Sequence, residues 1–147
     1  MDIETIKKLR EQTGAGVMDA SKALEEAGGN YDKAVEILKA KGVEKAAKKS
    51  DREIKAGKVF SYVHSGRVGA LLKLGCETDF VAKNDAFVSL GNDIVMQIVS
   101  MGPENIEELL EQDFVKDTSR KIKDLISDTV SKTGENITIV EFNHLSV

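Results

Sequence analysis

The stretch "KVFSYVHSGRVGALLKLG", residues 58–75, decides the fold of this 147-residue chain. Before the turn signal Ser65-Gly66, residues with ring side chains alternate with smaller ones, and after it apolar residues recur at every second position. The recurring residues are Val68, Ala70, Leu72 and Leu74. Because side chains along a strand point alternately to opposite faces, this pattern predicts an antiparallel β-hairpin with one apolar face.

The other face of this hairpin is also expected to be partly apolar. Phe60, Tyr62 and Leu71 are assigned to it by their positions in the alternation. A sheet that is apolar on both sides needs a second cover, which another domain or another subunit can supply. The sequence therefore predicts a homodimer as one way of covering the sheet.

Three helical segments and one more strand follow the hairpin. They are a helix at 84–101, a short acidic helix within 104–113, a helix at 118–132 and a strand at 136–142. Apolar residues at helical spacing, from Phe87 to Met101, define the first helix, and Gly102-Pro103 ends it. We therefore expect an α+β fold whose β-β-α-α-β core, residues 58–147, has a three-stranded antiparallel sheet with helices on one face.

The first 42 residues show three short helical patterns separated by turn signals. Asp2 can cap the first, the Gly14-Ala15-Gly16 turn separates it from the second, and Gly42 is expected to end the third. We predict a three-helix domain at residues 1–42 and a basic, partly helical linker at residues 43–57. A basic stripe recurs there at helical spacing: Lys41, Lys45, Lys48, Arg52 and Lys55. That stripe is either a solvated face or a contact surface for an acidic partner.

Composition limits the compartment and the partners. The net charge of −4 argues against direct nucleic-acid binding, and no aromatic residue is interleaved with the basic stripe for base stacking. Cys76 is the only cysteine, which excludes an intramolecular disulfide and is compatible with a reducing cytoplasm. The sequence shows neither a signal peptide nor an apolar span of ~18 residues, so we expect a cytoplasmic protein without a membrane partner.

The sequence lacks the signatures of catalysis and of cofactor binding. The Gly14-Ala15-Gly16 turn lacks the Lys-Ser/Thr of a phosphate-binding loop and follows a helix instead of a strand. His64 and His144 are isolated, and Cys76 ends an apolar strand, where a small buried thiol is favoured over a nucleophile. We therefore predict a protein that is not an enzyme and that uses no cofactor or metal ion.

Four segments carry a family resemblance. In order they are "LREQTGAGVMDASKAL" (residues 9–24), "CETDFVAKN" (76–84), "LLEQDFVKD" (109–117) and "TGENITI" (133–139). Together they resemble bacterial elongation factor Ts, the guanine-nucleotide exchange factor of elongation factor Tu. The resemblance implies a ubiquitin-associated (UBA)-like three-helix domain followed by an antiparallel core, in agreement with the periodicity.

The chain departs from the family pattern in length and at single positions. Family members usually carry a long helical stretch where Met101 here passes almost directly to Leu109, and long members have a duplicated core that is absent here. The smaller departures are Val17, Ser21 and Asp113, where the family often has Met, Lys and Pro. Asn143 stands at the position of a disulfide that links some single-core relatives, so that bridge cannot form.

The resemblance also implies a partner and the residues that contact it. In the family a Thr-Asp-Phe-Val motif is pressed against the GTPase domain of elongation factor Tu, where the Phe disturbs the magnesium and phosphate site. The residues that match this motif are Thr78, Asp79, Phe80 and Val81. Arg10, Val17 and Met18 align with positions through which the N-terminal domain grips elongation factor Tu, in its GDP-bound and nucleotide-free forms.

Alternatives stay open on the sequence alone. Phe80 could instead fold back as a hydrophobic staple onto the following helix, and Met18 could be a core residue of the three-helix domain. At the level of function, the alternatives are a UBA-type protein-binding module and an RNA-binding accessory protein that uses the basic stripe.

Overall fold

The computed structural model describes residues 2–147; Met1, the first residue of the predicted three-helix domain, lies outside them. The chain begins with three helices: α1 (Ile3–Thr13), α2 (Val17–Glu26) and α3 (Tyr31–Lys49). The Asp2 carboxylate accepts a hydrogen bond from the Glu4 N–H at the start of α1, and Asn30 accepts one from Lys33 at the start of α3. Gly14 ends α1 in the left-handed conformation, with φ of 73°, which glycine adopts without strain.

The expected end of the third helix at Gly42 is wrong, because α3, which is 19 residues long, continues past Gly42 to Lys49. Gly42 is instead a site of close packing: a Cβ built there would lie 3.2 Å from Oγ of Ser131 in a later helix. The residues that follow, up to Lys49, are mostly good helix formers, and Ala46 packs against the core of the sheet. Tertiary contact thus extends a helix that a glycine alone would have ended.

The α+β fold class and the three-stranded antiparallel sheet are confirmed. Strands β1 (Ala56–His64) and β2 (Val68–Cys76) form the hairpin, and the last strand, β5 (Thr138–Ser146), pairs with β2. The order is β1-β2-β5, and both pairings are antiparallel. Three residues, Ser65 to Arg67, connect the two strands. Ser65 and Gly66 both have positive φ, as a type I′ turn requires, and the Arg67 N–H donates to the His64 carbonyl at 3.0 Å.

The assignment of Phe60 and Tyr62 to the uncovered face of the sheet is wrong. Phe60 lies directly opposite Leu72, and Tyr62 opposite Ala70, so all four side chains share the face that the helices cover. The other face, which we call the open face, is nevertheless partly apolar, although Lys73 and Glu141 also lie on it. Its exposed apolar residues are Val59, Val63, Leu71, Val140 and Leu145.

The segment between β2 and β5 holds four helices and a small second sheet. The helices are α4 (Asp79–Ala82), α5 (Asp85–Met101), α6 (Ile106–Glu111) and α7 (Ile122–Thr133), and strands β3 (Asp113–Phe114) and β4 (Asp117–Lys121) lie between α6 and α7. The helix expected from residue 118 therefore begins only at Ile122. The reason is a polar side chain in α5: the buried Gln97 donates to the Asp113 carbonyl (3.0 Å) and accepts from the Val115 N–H (3.0 Å), which fixes this segment as a hairpin.

Two groups of buried residues form two cores. The first lies within the three N-terminal helices and includes Leu9, Ala20, Ala23, Leu24, Ala34 and Leu38. The second lies between the sheet and helices α4 to α7, with Phe87, Ile94 and Ile98 fully buried. Met101, expected on the same inward stripe of α5, is exposed at the end of the helix. Within residues 2–147, the helices are too short or too polar to cross a membrane.

Candidate partner-binding site

The Thr78–Val81 motif forms one turn of helix that directly follows the hairpin. Thr78 is the N-cap of α4: its backbone is extended, and its Oγ1 accepts a hydrogen bond from the Val81 N–H at 3.3 Å. Val81 is only 3% exposed, and Ala82 is also buried, so this side of the turn belongs to the main core. The motif is thus fixed to the core by a cap and by two buried side chains.

Phe80 points away from that core. Its side chain is 82% exposed, and the preceding Asp79 is exposed as well. The hydrophobic staple is therefore not formed, because a staple would bury Phe80 against α5. An aromatic side chain that stays in water on a rigid turn is free to bury its surface against a partner, and aromatic residues are enriched at protein interfaces.

Glu135, in the loop between α7 and β5, supports the motif from the other side. One carboxylate oxygen accepts hydrogen bonds from the N–H groups of Glu77 (3.1 Å) and Thr78 (2.9 Å). The other oxygen accepts from the Thr78 hydroxyl at 2.7 Å. Sequence reasoning gave Glu135 no role, although the quoted segment "TGENITI" contains it.

Cys76 is fully buried beneath the motif, as expected of a small thiol at a strand end. Its thiol donates to the Thr78 carbonyl at 3.2 Å. Burial raises the pKa of the Cys76 thiol, and the nearby Glu135 carboxylate acts in the same direction. The neutral thiol is therefore favoured, which makes Cys76 a packing residue and a weak donor.

The second set of predicted contact residues lies at the junction of α1 and α2. Arg10 is exposed on α1, and its Nε donates to the Ala15 carbonyl at 3.3 Å. Val17 and Met18 are the first two residues of α2, and they are 52% and 69% exposed. Met18 is thus not a core residue. The junction brings one cation and two apolar side chains to the same part of the surface.

Each cation of the basic stripe on α3 and the following linker lies within 4.0 Å of an acid of the same chain. Lys45 binds Asp19 of α2 at 2.6 Å, and this hydrogen bond lowers the pKa of the Asp19 carboxyl. The remaining pairs are Lys41 with Glu26 (4.0 Å), Lys48 with Glu44 (3.9 Å), Arg52 with Glu77 (3.7 Å) and Lys55 with Glu53 (3.6 Å). Phosphate binding would have to compete with these pairs, so the stripe is a weak basis for RNA binding.

The chain combines a rigid turn that exposes one aromatic side chain with a three-helix domain at residues 1–42, the helical module, that has exposed apolar residues of its own. This combination is typical of a scaffold that binds another protein. Comparison with known proteins specifies the family. The family model described as elongation factor TS matches residues 77–147, which include the motif and Glu135.

Relatives of similar sequence extend the match to nearly the whole chain. Elongation factor Ts of Thermodesulfovibrio yellowstonii is 37% identical over 188 residues, covering 98% of this chain and 94% of the relative. Those of Leptospira biflexa (39%, covering 98% and 96%) and Thermotoga maritima (38%, covering 100% and 96%) are similar. The chain belongs to the elongation factor Ts family. Because these alignments are longer than its 147 residues, the chain is a shortened member.

Proposed function

We propose that this protein is a guanine-nucleotide exchange factor for elongation factor Tu and promotes GDP release during translation elongation. The observation that carries the proposal is the 82% exposure of Phe80 on a turn that is fixed to the core. Membership in the elongation factor Ts family supplies the partner. In this proposal the turn formed by Thr78, Asp79, Phe80 and Val81 docks on the GTPase domain near its magnesium and phosphate site, with Phe80 as the wedge and Asp79 beside it, while the buried Val81 holds the turn on the core.

This activity needs no catalytic group on the chain. A factor that binds the nucleotide-free partner more tightly than the GDP-bound partner must weaken GDP binding by the same ratio, because binding free energies are reciprocal. What the factor needs is a rigid scaffold whose anchors fit only the altered partner. A capped turn with Val81 buried and Phe80 exposed meets that need.

The helical module would supply the second contact. Arg10, Val17 and Met18 lie together at the junction of α1 and α2, where an apolar centre beside a guanidinium resembles the composition of protein interfaces. Met18 can adjust its shape to a partner because its side chain is unbranched and flexible. We propose that this surface holds the GTPase domain while Phe80 acts at the nucleotide site.

The experiment that tests the function is GDP release from elongation factor Tu. Elongation factor Tu is loaded with fluorescent GDP, excess unlabelled GDP is added, and the release rate is followed as this protein is titrated. We expect the rate to rise with its concentration and then to saturate. An unchanged release rate, with or without complex formation, would contradict the proposal and leave the protein-binding module as the alternative.

A second copy of this chain is a further proposed partner. The open face carries five exposed apolar residues, and a groove of about 520 Å³ lies at the end of this face beside Gly75 and includes two of them, Val59 and Val140. An exposed apolar patch on one face of a sheet is suited to a two-fold contact in which the same patch of each copy is buried. A homodimer would cover the face that the helices leave uncovered.

A further inference from the structure

We propose that Glu135 and Asn136 form a clamp that positions the Thr78–Val81 turn for the partner and ties that turn to the linker that follows α3. The clamp is the loop between α7 and β5, and its hydrogen bonds are formed within this chain, in the absence of the partner. This inference rests on the proposed function, because it assigns Glu135 a role that is exerted through Phe80.

The first half of the clamp holds the backbone just before Phe80. All three hydrogen bonds of the Glu135 carboxylate go to Glu77 and Thr78, at 2.7 to 3.1 Å. Hydrogen bonds to a carboxylate are stronger than those between neutral groups. Since Thr78 also caps α4, a carboxylate that orients its hydroxyl fixes the direction in which the turn leaves the sheet.

The second half of the clamp holds the linker that follows α3. The Asn136 side chain is buried, and its Nδ2 donates to the carbonyl groups of Ser50 (3.3 Å) and Arg52 (2.9 Å). The Asn136 N–H donates to the Glu77 carboxylate at 2.8 Å, and Glu77 directly precedes the motif. Arg52 closes the arrangement by donating to the Gly134 carbonyl at 3.3 Å.

The position of the loop is set by the end of α7. Gly134 ends that helix in the left-handed conformation, with φ of 75°, and its N–H donates to the Val130 carbonyl. The next two residues therefore leave α7 in a fixed direction, one toward the motif and the other toward the linker. A short loop thus joins the motif that carries Phe80 to the linker that follows α3.

The consequence is that the motif is ordered before the partner arrives. An anchor that is already held in its bound position loses less conformational freedom on binding, and this raises affinity and the rate of productive encounters. Glu135 is then a positioning residue: its loss should weaken the action of Phe80 without removing any group that touches elongation factor Tu.

The experiment combines substitutions at Glu135 with one at Phe80. In the GDP-release assay we expect Glu135→Ala to lower kcat/KM about 3- to 10-fold, the range that the ordering of a single side chain supplies. Glu135→Gln should retain most of the rate, because its amide oxygen can accept both backbone N–H groups. The matched control is Glu107→Ala, which removes an exposed carboxylate from α6 and should change nothing.

The double variant tests whether Glu135 acts through Phe80. In a Phe80→Ala background, Glu135→Ala should lower the GDP-release rate only slightly further, since the side chain that Glu135 positions is already absent. Equal losses in both backgrounds would mean that Glu135 acts elsewhere and would overturn the clamp. If Glu135→Ala does not fold, Glu135→Asp, which shortens the side chain by one methylene, takes its place in the same comparison.

Amide hydrogen exchange of the free protein separates this inference from the function on which it rests. The N–H groups of Glu77, Thr78 and Val81 should exchange faster in Glu135→Ala than in Glu135→Gln or Glu107→Ala, with the α5 amides unchanged. If the proposed function fails, Phe80→Ala will not affect GDP release, yet this difference will remain. If the clamp fails, the protection of the turn will be unchanged while Phe80→Ala still slows GDP release.

Discussion

Phe80 is exposed because a single helical turn cannot bury all its side chains. The turn uses Val81 and Ala82 to close the core beneath β2, and their neighbours on the other side must face outward. Full burial of a phenylalanine contributes about 1.5–3 kcal/mol, so this position is a poor choice for stability and a good one for contact. Stability and activity should therefore separate at adjacent residues.

The first prediction concerns Phe80→Ala. Its melting temperature should stay close to that of the unchanged protein, because surface substitutions typically alter stability by less than about 0.5 kcal/mol. Removal of an interface anchor costs about 2–4 kcal/mol, so stimulated GDP release should fall roughly 30- to 1000-fold. Thermal melting and GDP release are measured on the same sample.

Val81→Ala is the matched control, because it truncates the next residue, which is buried. It should lower stability by about 1–3 kcal/mol through lost packing, while each folded molecule keeps most of its exchange activity. A Phe80→Ala protein that melts early and is fully active would show instead that Phe80 has a structural role.

The residues of the motif can be predicted from the sequence, but the residue that holds the motif in place, Glu135, cannot. Thr78 and Asn84 are recognisable helix caps, so a short structured turn between them follows from local chemistry. The Glu135 carboxylate reaches Thr78 across 57 positions of sequence, and no local pattern encodes that contact. Long-range polar contacts of this kind become visible only when the fold brings the two loops together.

At the scale of elements, the packing of α5 on the hairpin depends on one glycine. Gly91 lies in the middle of the helix, where glycine is normally unfavourable by about 1 kcal/mol relative to alanine. The ring of Phe60 occupies the space that a Cβ of residue 91 would need. Glycine at this position lowers the helix propensity of α5 but allows close contact between α5 and β1.

The second prediction follows from that contact. Gly91→Ala should lower the free energy of unfolding by about 1–2 kcal/mol, since overpacking outweighs the gain in helix propensity. Asn92→Ala, on the exposed side of the same helix, gains propensity without a clash and should be neutral or slightly stabilising. Urea unfolding of the two variants makes the comparison, and equal stabilities would mean that the Phe60 ring moves aside freely.

Elements with strong local patterns were predicted correctly, and the errors occur where tertiary contacts decide. Periodicity predicts the hairpin, α5 and the final strand, but alternation alone does not say which face of β1 the helices cover, so the assignment of Phe60 and Tyr62 is wrong. The continuation of α3 beyond Gly42 depends on packing against Ser131, and the late start of α7 depends on Gln97. Both contacts join segments that are not adjacent in the sequence. A prediction from a single glycine or from helical periodicity therefore cannot include them.

At the scale of the whole molecule, the two cores favour two domains, although α3 links them. The module at residues 1–42 has its own buried cluster, and the sheet of the proposed domain at residues 58–147 has another. The linker proposed at residues 43–57 begins inside α3 and packs through Ala46 against the second core. We therefore propose two domains joined by a continuous helix and by the clamp at Asn136, an arrangement that would hold both contact surfaces in one orientation.

The last prediction concerns the open face of the sheet. A chain with a single core presents five exposed apolar residues there, and a two-fold partner would remove them from water. Sedimentation equilibrium at roughly 10–100 µM should therefore detect a dimer. Leu71→Glu places a charge in the middle of this face and should raise the dissociation constant at least about 30-fold, as loss of an interface anchor does. Phe80→Ala, which removes an exposed apolar side chain elsewhere, should leave the dimer intact. A protein that sediments as a monomer throughout this range would contradict the homodimer, and elongation factor Tu would then have to meet a single copy of the clamp and its turn.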